Sequence, residues 1–184
     1  MSVDVSAMNR DGLAQGILIM TVFGLFWSVI GITGVEVPGV ATVASTVVAT
    51  VLAGTIWRVA GRLRPVAPTG RVRQVAPTSR RVFAVVNVAQ WVAIAVATVV
   101  LIRLGHPGLL WPVVCAIVGA HFLPLAGAFD VPEYRLSGAL LILTGLAGAA
   151  AFAFDAGNGV IRMIVGFPAA IILWSTVLLV AKRG

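Results

Sequence analysis

Charged side chains are scarce in this chain. Only 10% of its 184 residues are Asp, Glu, Lys or Arg, while 60% are hydrophobic and the mean hydropathy is +1.07. Soluble domains carry about 25% charged and about 45–50% apolar residues. A soluble core of this size could not enclose so much apolar surface. The composition therefore predicts a polytopic integral membrane protein of the all-α class.

Cysteine and histidine are almost missing, which argues against metal, haem and disulfide chemistry. Cys115 is the single cysteine, so no intramolecular disulfide can form. The two histidines, His106 and His121, fall on opposite sides of the predicted membrane and cannot share a metal ion or a haem within one protomer. HExxH, GxSxG and Gly-rich phosphate motifs are lacking, as is a nucleophile–base pair. We therefore expect no cofactor, no metal and no enzymatic activity.

Acidic residues are also few, and none of the six falls within a predicted span. A pump driven by an intramembrane carboxylate is therefore not expected. The net charge of +7 comes largely from one segment, residues 58–81, which contains seven arginines and no acid. Because it lacks interleaved aromatics and a folded basic domain, nucleic-acid binding is not expected. Contact with anionic lipid headgroups or a cytoplasmic partner is the favoured role of these arginines: Arg58, Arg62, Arg64, Arg71, Arg73, Arg80 and Arg81.

Apolar runs of about 20 residues recur along the chain, and each is long enough to cross a bilayer as a helix. They predict one membrane domain over residues 1–184 with the basic cytoplasmic loop at 58–81. The six predicted transmembrane helices span about 12–34, 40–57, 82–104, 108–128, 136–154 and 160–181.

The distribution of positive charge predicts the orientation of these spans. Eleven of the thirteen Lys and Arg residues fall on one side if both termini are cytoplasmic, and only Arg103 and Arg162 fall on the other. Positive residues accumulate on the cytoplasmic side, so we expect cytoplasmic N and C termini in a multi-pass protein of the inner (plasma) membrane. Asp155 and Arg162 flank one outer turn, where they could form an exposed ion pair.

Small residues recur at helical spacing and predict close helix packing. Gly24, Ser28 and Gly31 form one such face, and Gly145, Gly148 and Ala149 form another. The span 40–57 carries two parallel ridges of Ala, Ser, Thr and Gly. These faces predict a compact bundle and would also suit a homo-oligomer.

Polar side chains inside predicted spans identify the candidate site. His121, Gln90 and Asn87 lie at similar distances from the cytoplasmic ends of adjacent antiparallel spans, and Pro124 is expected to bend the helix one turn from His121. These residues could line a polar cavity open to the cytoplasm, with His121 carrying a proton or contacting a ligand. Alternatively, His121 is neutral, bonds to Gln90 or to a backbone carbonyl, and only joins two helices.

The segment His121-Phe-Leu-Pro-Leu-Ala126, followed by Phe129 and Tyr134-Arg-Leu-Ser-Gly138, resembles part of small uncharacterised bacterial multi-pass membrane proteins. That resemblance implies a six-helix fold in a bacterial inner membrane and transfers no activity or site.

Two functional hypotheses follow from these features. The first is a small inner-membrane protein of transporter or channel type, with the polar cavity near His121. The second is a non-enzymatic structural or regulatory membrane subunit whose arginine-rich loop binds anionic lipid or a cytoplasmic partner.

Overall fold

The computed structural model describes residues 10–36 and 77–181, together with six further positions: Gly39, Val43, Val47, Thr50, Val51 and Gly54. These six are helical and exposed, and the rest of the predicted span 40–57 lies outside the described residues. Most of the predicted basic loop also lies outside the described residues, including Arg58, Arg62, Arg64, Arg71 and Arg73. The described residues form helices joined by short turns, with no strand among them, so the all-α prediction is confirmed.

Five α-helices make up most of the described part of the chain. They are α1 (Arg10–Ile32), α2 (Pro77–Arg103), α3 (Leu110–Phe129), α4 (Glu133–Ala153) and α5 (Asn158–Ala181), and one 3₁₀ turn, Pro107–Leu109, precedes α3. Within the described residues, four helices are long and apolar enough to cross a membrane: Arg81–Arg103, Pro107–Phe129, Glu133–Ala153 and Asn158–Val180. Ile19–Ile32 is a shorter apolar helix. These lengths and compositions indicate a membrane protein.

Several helices begin earlier than the apolar runs predict. The start of α2 at Pro77 rather than 82 makes the end of the predicted basic loop, Pro77 to Arg81, helical. Proline suits the first helical position because its φ angle is preset and it has no N–H to leave unpaired. α4 begins at Glu133 rather than 136, where a carboxylate interacts favourably with the helix dipole. α1 and α5 begin at Arg10 and Asn158, also before their predicted starts. An apolar run does not include the polar residues at a helix end, so it predicts too late a start.

The helices pack as antiparallel neighbours in the order α2, α3, α4, α5 and α1. A ring contact between Trp27 and Trp111, with centroids 6.5 Å apart, brings α1 back towards α3. The core between the helices contains fully buried side chains from α1, α4 and α5, among them Trp27, Leu141, Val165 and Leu173. α2 lies at the edge of this bundle, and most of its apolar side chains are exposed.

Glycine allows α1 and α5 to approach to backbone contact. A Cβ added to Gly166 would lie 2.6 Å from the Cα of Gly31 and 2.7 Å from the carbonyl oxygen of Trp27. Gly24 is covered by the indole of Trp174, and the hydroxyl of Ser28 donates to the carbonyl of Gly24 at 2.8 Å. The predicted small face of the first helix is therefore confirmed as a packing face.

α3 and α4 meet in the same way. A Cβ on Gly119 would lie 2.6 Å from the carbonyl oxygen of Gly138, and one on Gly138 would lie 2.7 Å from that of Gly119. Gly145 faces the carbonyl of Pro112, and Gly148 faces Val165 of α5. The predicted small face around Gly145 and Gly148 therefore also packs against neighbouring helices, and it helps to fix α3, on which His121 lies.

Candidate functional site at the α2–α3 interface

The edge helix α2 rests on α3, and this contact contains the polar residues predicted from the sequence. Phe83 packs edge-on against Phe129 near one end, with ring centroids 6.0 Å apart. Further along the interface, the imidazole of His121 approaches the backbone of Val86. Val86 immediately precedes Asn87 and lies one helical turn, about 6 Å, before Gln90. The structure therefore places His121 opposite the segment of α2 that carries both predicted amides.

Two buried polar atoms at this interface have no hydrogen-bond partner within the part of the chain that the structure describes. They are Oε1 of Gln90 and Nδ1 of His121. Gln90 is only 6% exposed, whereas its neighbours Trp91 and Val92 are 57% and 56% exposed. Between Arg81 and Arg103 the exposed residues of α2 are all apolar, whereas Gln90 faces the inside of the bundle.

The predicted bond between His121 and Gln90 does not form in the described residues. His121 instead approaches the backbone of Val86 on α2. Part of the joining role considered for His121 is thus present, while its Nδ1 has no hydrogen-bond partner in the described residues.

Asn87 and Pro124 take less central positions. Asn87 is half-buried and Pro124 is exposed. α3 continues as one helix from Leu110 to Phe129 through Pro124. Proline has no N–H, so the carbonyl of Ala120 lacks its usual partner from residue 124.

The unpartnered atoms determine what this interface can bind. Gln90 Oε1 is an acceptor, Nδ1 of a neutral histidine accepts or donates according to the tautomer, and leaving a buried polar atom unsatisfied costs about 1–3 kcal/mol. Buried polar atoms are normally paired with protein or with ordered water. Water, which both donates and accepts, would satisfy both atoms. Two indole N–H groups, of Trp27 and Trp174, are also unpartnered, but these are donors on α1 and α5.

Sequence reasoning missed two buried polar contacts between other helices. The hydroxyls of Ser137 on α4 and Thr176 on α5 lie 2.5 Å apart. Cys115 on α3 donates to the carbonyl of Leu141 on α4 at 3.3 Å, so the thiol is buried and bonded. Ser and Thr occur at many helix positions without such contacts, so the sequence offered no signal for this pair.

Of the arginines assigned to lipid or partner contact, Arg80 and Arg81 are described. Both lie in the first turns of α2, and Arg81 is exposed. In the described ranges, no group of three or more His, Cys, Asp or Glu residues could hold a metal ion.

The helices and this interface define a helical protein with several potential membrane spans and two buried, unpartnered polar atoms between two of them. No family model matches the chain, and no curated protein or solved structure matches it.

Proposed function

We propose that this chain is a small membrane protein of transporter or channel type whose polar pathway passes between α2 and α3 beside His121. The observation that carries the proposal is the pair of buried, unpartnered polar atoms, Gln90 Oε1 and His121 Nδ1. A purely structural contact would be expected to pair these atoms with each other or with the backbone, because an unsatisfied polar group lowers stability. Because these two atoms are free to bond to water, they support a pathway that contains water.

The position of α2 gives further support. It contacts mainly α3 and lies at the edge of the described bundle, so the α2–α3 interface can open without separating the other helices. In this proposal the protein has six spans, both termini are cytoplasmic, and the pathway opens towards the cytoplasm of a plasma (inner) membrane. The positive-charge distribution supports that orientation.

Flux across liposomes containing the purified protein tests the proposal. Proton flux is followed with an enclosed pH-sensitive dye, and water flux by stopped-flow light scattering. We expect the wild-type protein to raise at least one flux above that of empty liposomes. His121→Ala should reduce that flux, and a proton flux by about a hundredfold or more, since a positioned proton-transfer group contributes roughly 10²–10⁴-fold. His106→Ala, which changes the exposed histidine in the α2–α3 turn, is the matched control and should retain it.

Gln90→Met separates a functional amide from a structural one. Replacing an unsatisfied polar group with an apolar side chain of similar length should leave stability unchanged or raise it by about 1 kcal/mol. Under the proposal this variant is at least as stable as wild type but conducts less. Equal flux from wild type, His121→Ala and Gln90→Met, or no flux from the wild type, would overturn the pathway. The regulatory-subunit hypothesis, with its arginine-rich loop, would then take its place.

A further inference from the structure

A cavity of about 160 Å³ lies at the opposite end of α3 from the His121 region. Its lining consists of Pro107, Gly108, Trp111, Asn158 and Arg162. A single water needs only about 10–15 Å³ measured in this way, so the cavity has room for a polyatomic group. It is independent of the α2–α3 interface, and none of its lining residues belongs to the proposed pathway.

The α2–α3 turn and the start of α5 contribute to the walls of this cavity. Gly105 ends α2 in the left-handed conformation, with φ +75°, and the N–H of His106 bonds back to the carbonyl of Leu101. This C-cap reverses the chain into Pro107 and Gly108. The start of α5 then packs beside them, because a Cβ on Gly108 would lie 2.7 Å from Oδ1 of Asn158.

The lining carries a cation and no carboxylate. Arg162 is half-buried, and in the described residues no acidic side chain lies within ion-pair distance of it. The possible ion pair with Asp155 is therefore not present there, and Glu36 approaches Gly159. A half-buried guanidinium keeps five N–H donors in a planar arrangement that matches phosphate, and Asn158 adds a polar amide beside it.

The position of the cavity along the helices places it near the membrane surface. Pro107 and Asn158 are the first residues of two helices that are long enough to cross a membrane. A site at the first residues of two such helices falls where apolar chains give way to lipid headgroups. Trp111 suits this layer, and its ring packs on Phe26 at 6.0 Å.

We propose that this cavity binds a phosphate group, with Arg162 as the main ligand and Asn158 and Trp111 beside it. The group belongs either to the headgroup of an anionic phospholipid or to free inorganic phosphate. This site is separate from the arginine-rich loop at 58–81 and does not depend on the pathway beside His121.

Binding is measured on the full-length chain in a phosphate-free, non-ionic detergent. Phosphatidylglycerol and inorganic phosphate are titrated separately, and diacylglycerol with the same acyl chains serves as the blank. We expect Arg162→Gln to weaken binding about tenfold or more, because it removes charge-assisted hydrogen bonds. Arg103→Gln is the matched control, since Arg103 is an exposed arginine near the same end of the bundle but does not line the cavity. It should bind like wild type.

The two sources give different results. A lipid headgroup is indicated if phosphatidylglycerol binds and inorganic phosphate neither binds nor competes, and free phosphate is indicated if inorganic phosphate binds alone. If Arg162→Gln does not fold, Arg162→Lys and Asn158→Ala decide. Both should bind more weakly than wild type, since lysine keeps the charge but loses the paired donors. Wild-type affinity in every folded cavity variant, equal losses in Arg103→Gln, or no binding beyond diacylglycerol overturns the site.

Discussion

Gly166 is a residue at which α5 approaches the backbone of α1. A side chain at this position would meet backbone atoms of Gly31 and Trp27, which cannot rotate away as a flexible side chain could. Without a hydrophobic driving force between helices in lipid, such close backbone approach is a main source of association. The spacing of small residues predicted the α1 side of this contact, with Gly24, Ser28 and Gly31, but not Gly166. Close packing in membranes depends on residue size, which a sequence displays directly.

The matched pair Gly166→Ala and Gly127→Ala tests the close packing at Gly166 by adding one methyl group at each position. A Cβ at Gly127 meets no atom within 4 Å, although both residues are helical. We expect Gly166→Ala to destabilise the protein by about 1–3 kcal/mol through overpacking. Gly127→Ala should stay within about 1 kcal/mol of wild type. Unfolding by SDS titration in mixed micelles measures both, and equal effects of the two variants would contradict the packing argument.

The hydroxyl pair between α4 and α5 acts at the scale of helices. Ser137 and Thr176 also approach carbonyls of their own helices, at Glu133 and Ile172. Since each hydroxyl has one proton, one residue donates across the interface while the other donates within its own helix. The pair therefore joins α4 to α5 through a hydrogen bond between two buried side chains.

A double-mutant cycle with Ser137→Ala and Thr176→Val measures this link. Interhelical hydrogen bonds in membrane proteins average about 0.6 kcal/mol and reach about 1.7. We expect a coupling in that range from the same SDS titration. Thr144→Val is the control, because the hydroxyl of Thr144 donates to Leu140 of its own helix. A cycle of Ser137→Ala with Thr144→Val should show no coupling, and additive effects in the first cycle would mean that the hydroxyl contact contributes nothing.

Helix positions were largely predictable from the sequence, whereas helix starts and polar partners were not. The apolar runs located α2 to α5 because bilayer thickness requires about 20 apolar residues. They missed Pro77 and Glu133, since helix caps follow rules other than hydropathy. The interface containing His121 was predicted from depth along adjacent spans. The choice between Gln90 and a backbone group as the neighbour of His121 stayed open, because it depends on the rotation of α2 about its axis.

At the scale of the whole molecule, the described helices have two ends. One end holds the α3–α4 turn around Pro132, the start of α2 and the end of α5; the other holds the α4–α5 turn around Gly157. The end with Pro132 also carries Arg81 and Arg135, and in the six-span proposal it faces the cytoplasm. The phosphate site at Arg162 then belongs to the opposite surface, so orientation determines which leaflet supplies its ligand.

Labelling of one introduced cysteine tests this orientation. Gly157→Cys and Pro132→Cys place a thiol at exposed positions of the two ends, and the native Cys115 is buried, so it should contribute little background. We expect a membrane-impermeant maleimide to label Gly157→Cys in intact cells, but Pro132→Cys only after permeabilisation, because positive residues hold the Pro132 end inside. Parental protein without either substitution gives the background. The opposite pattern would invert the topology, and the cavity beside His121 would then open away from the cytoplasm while the Arg162 site met the cytoplasmic leaflet.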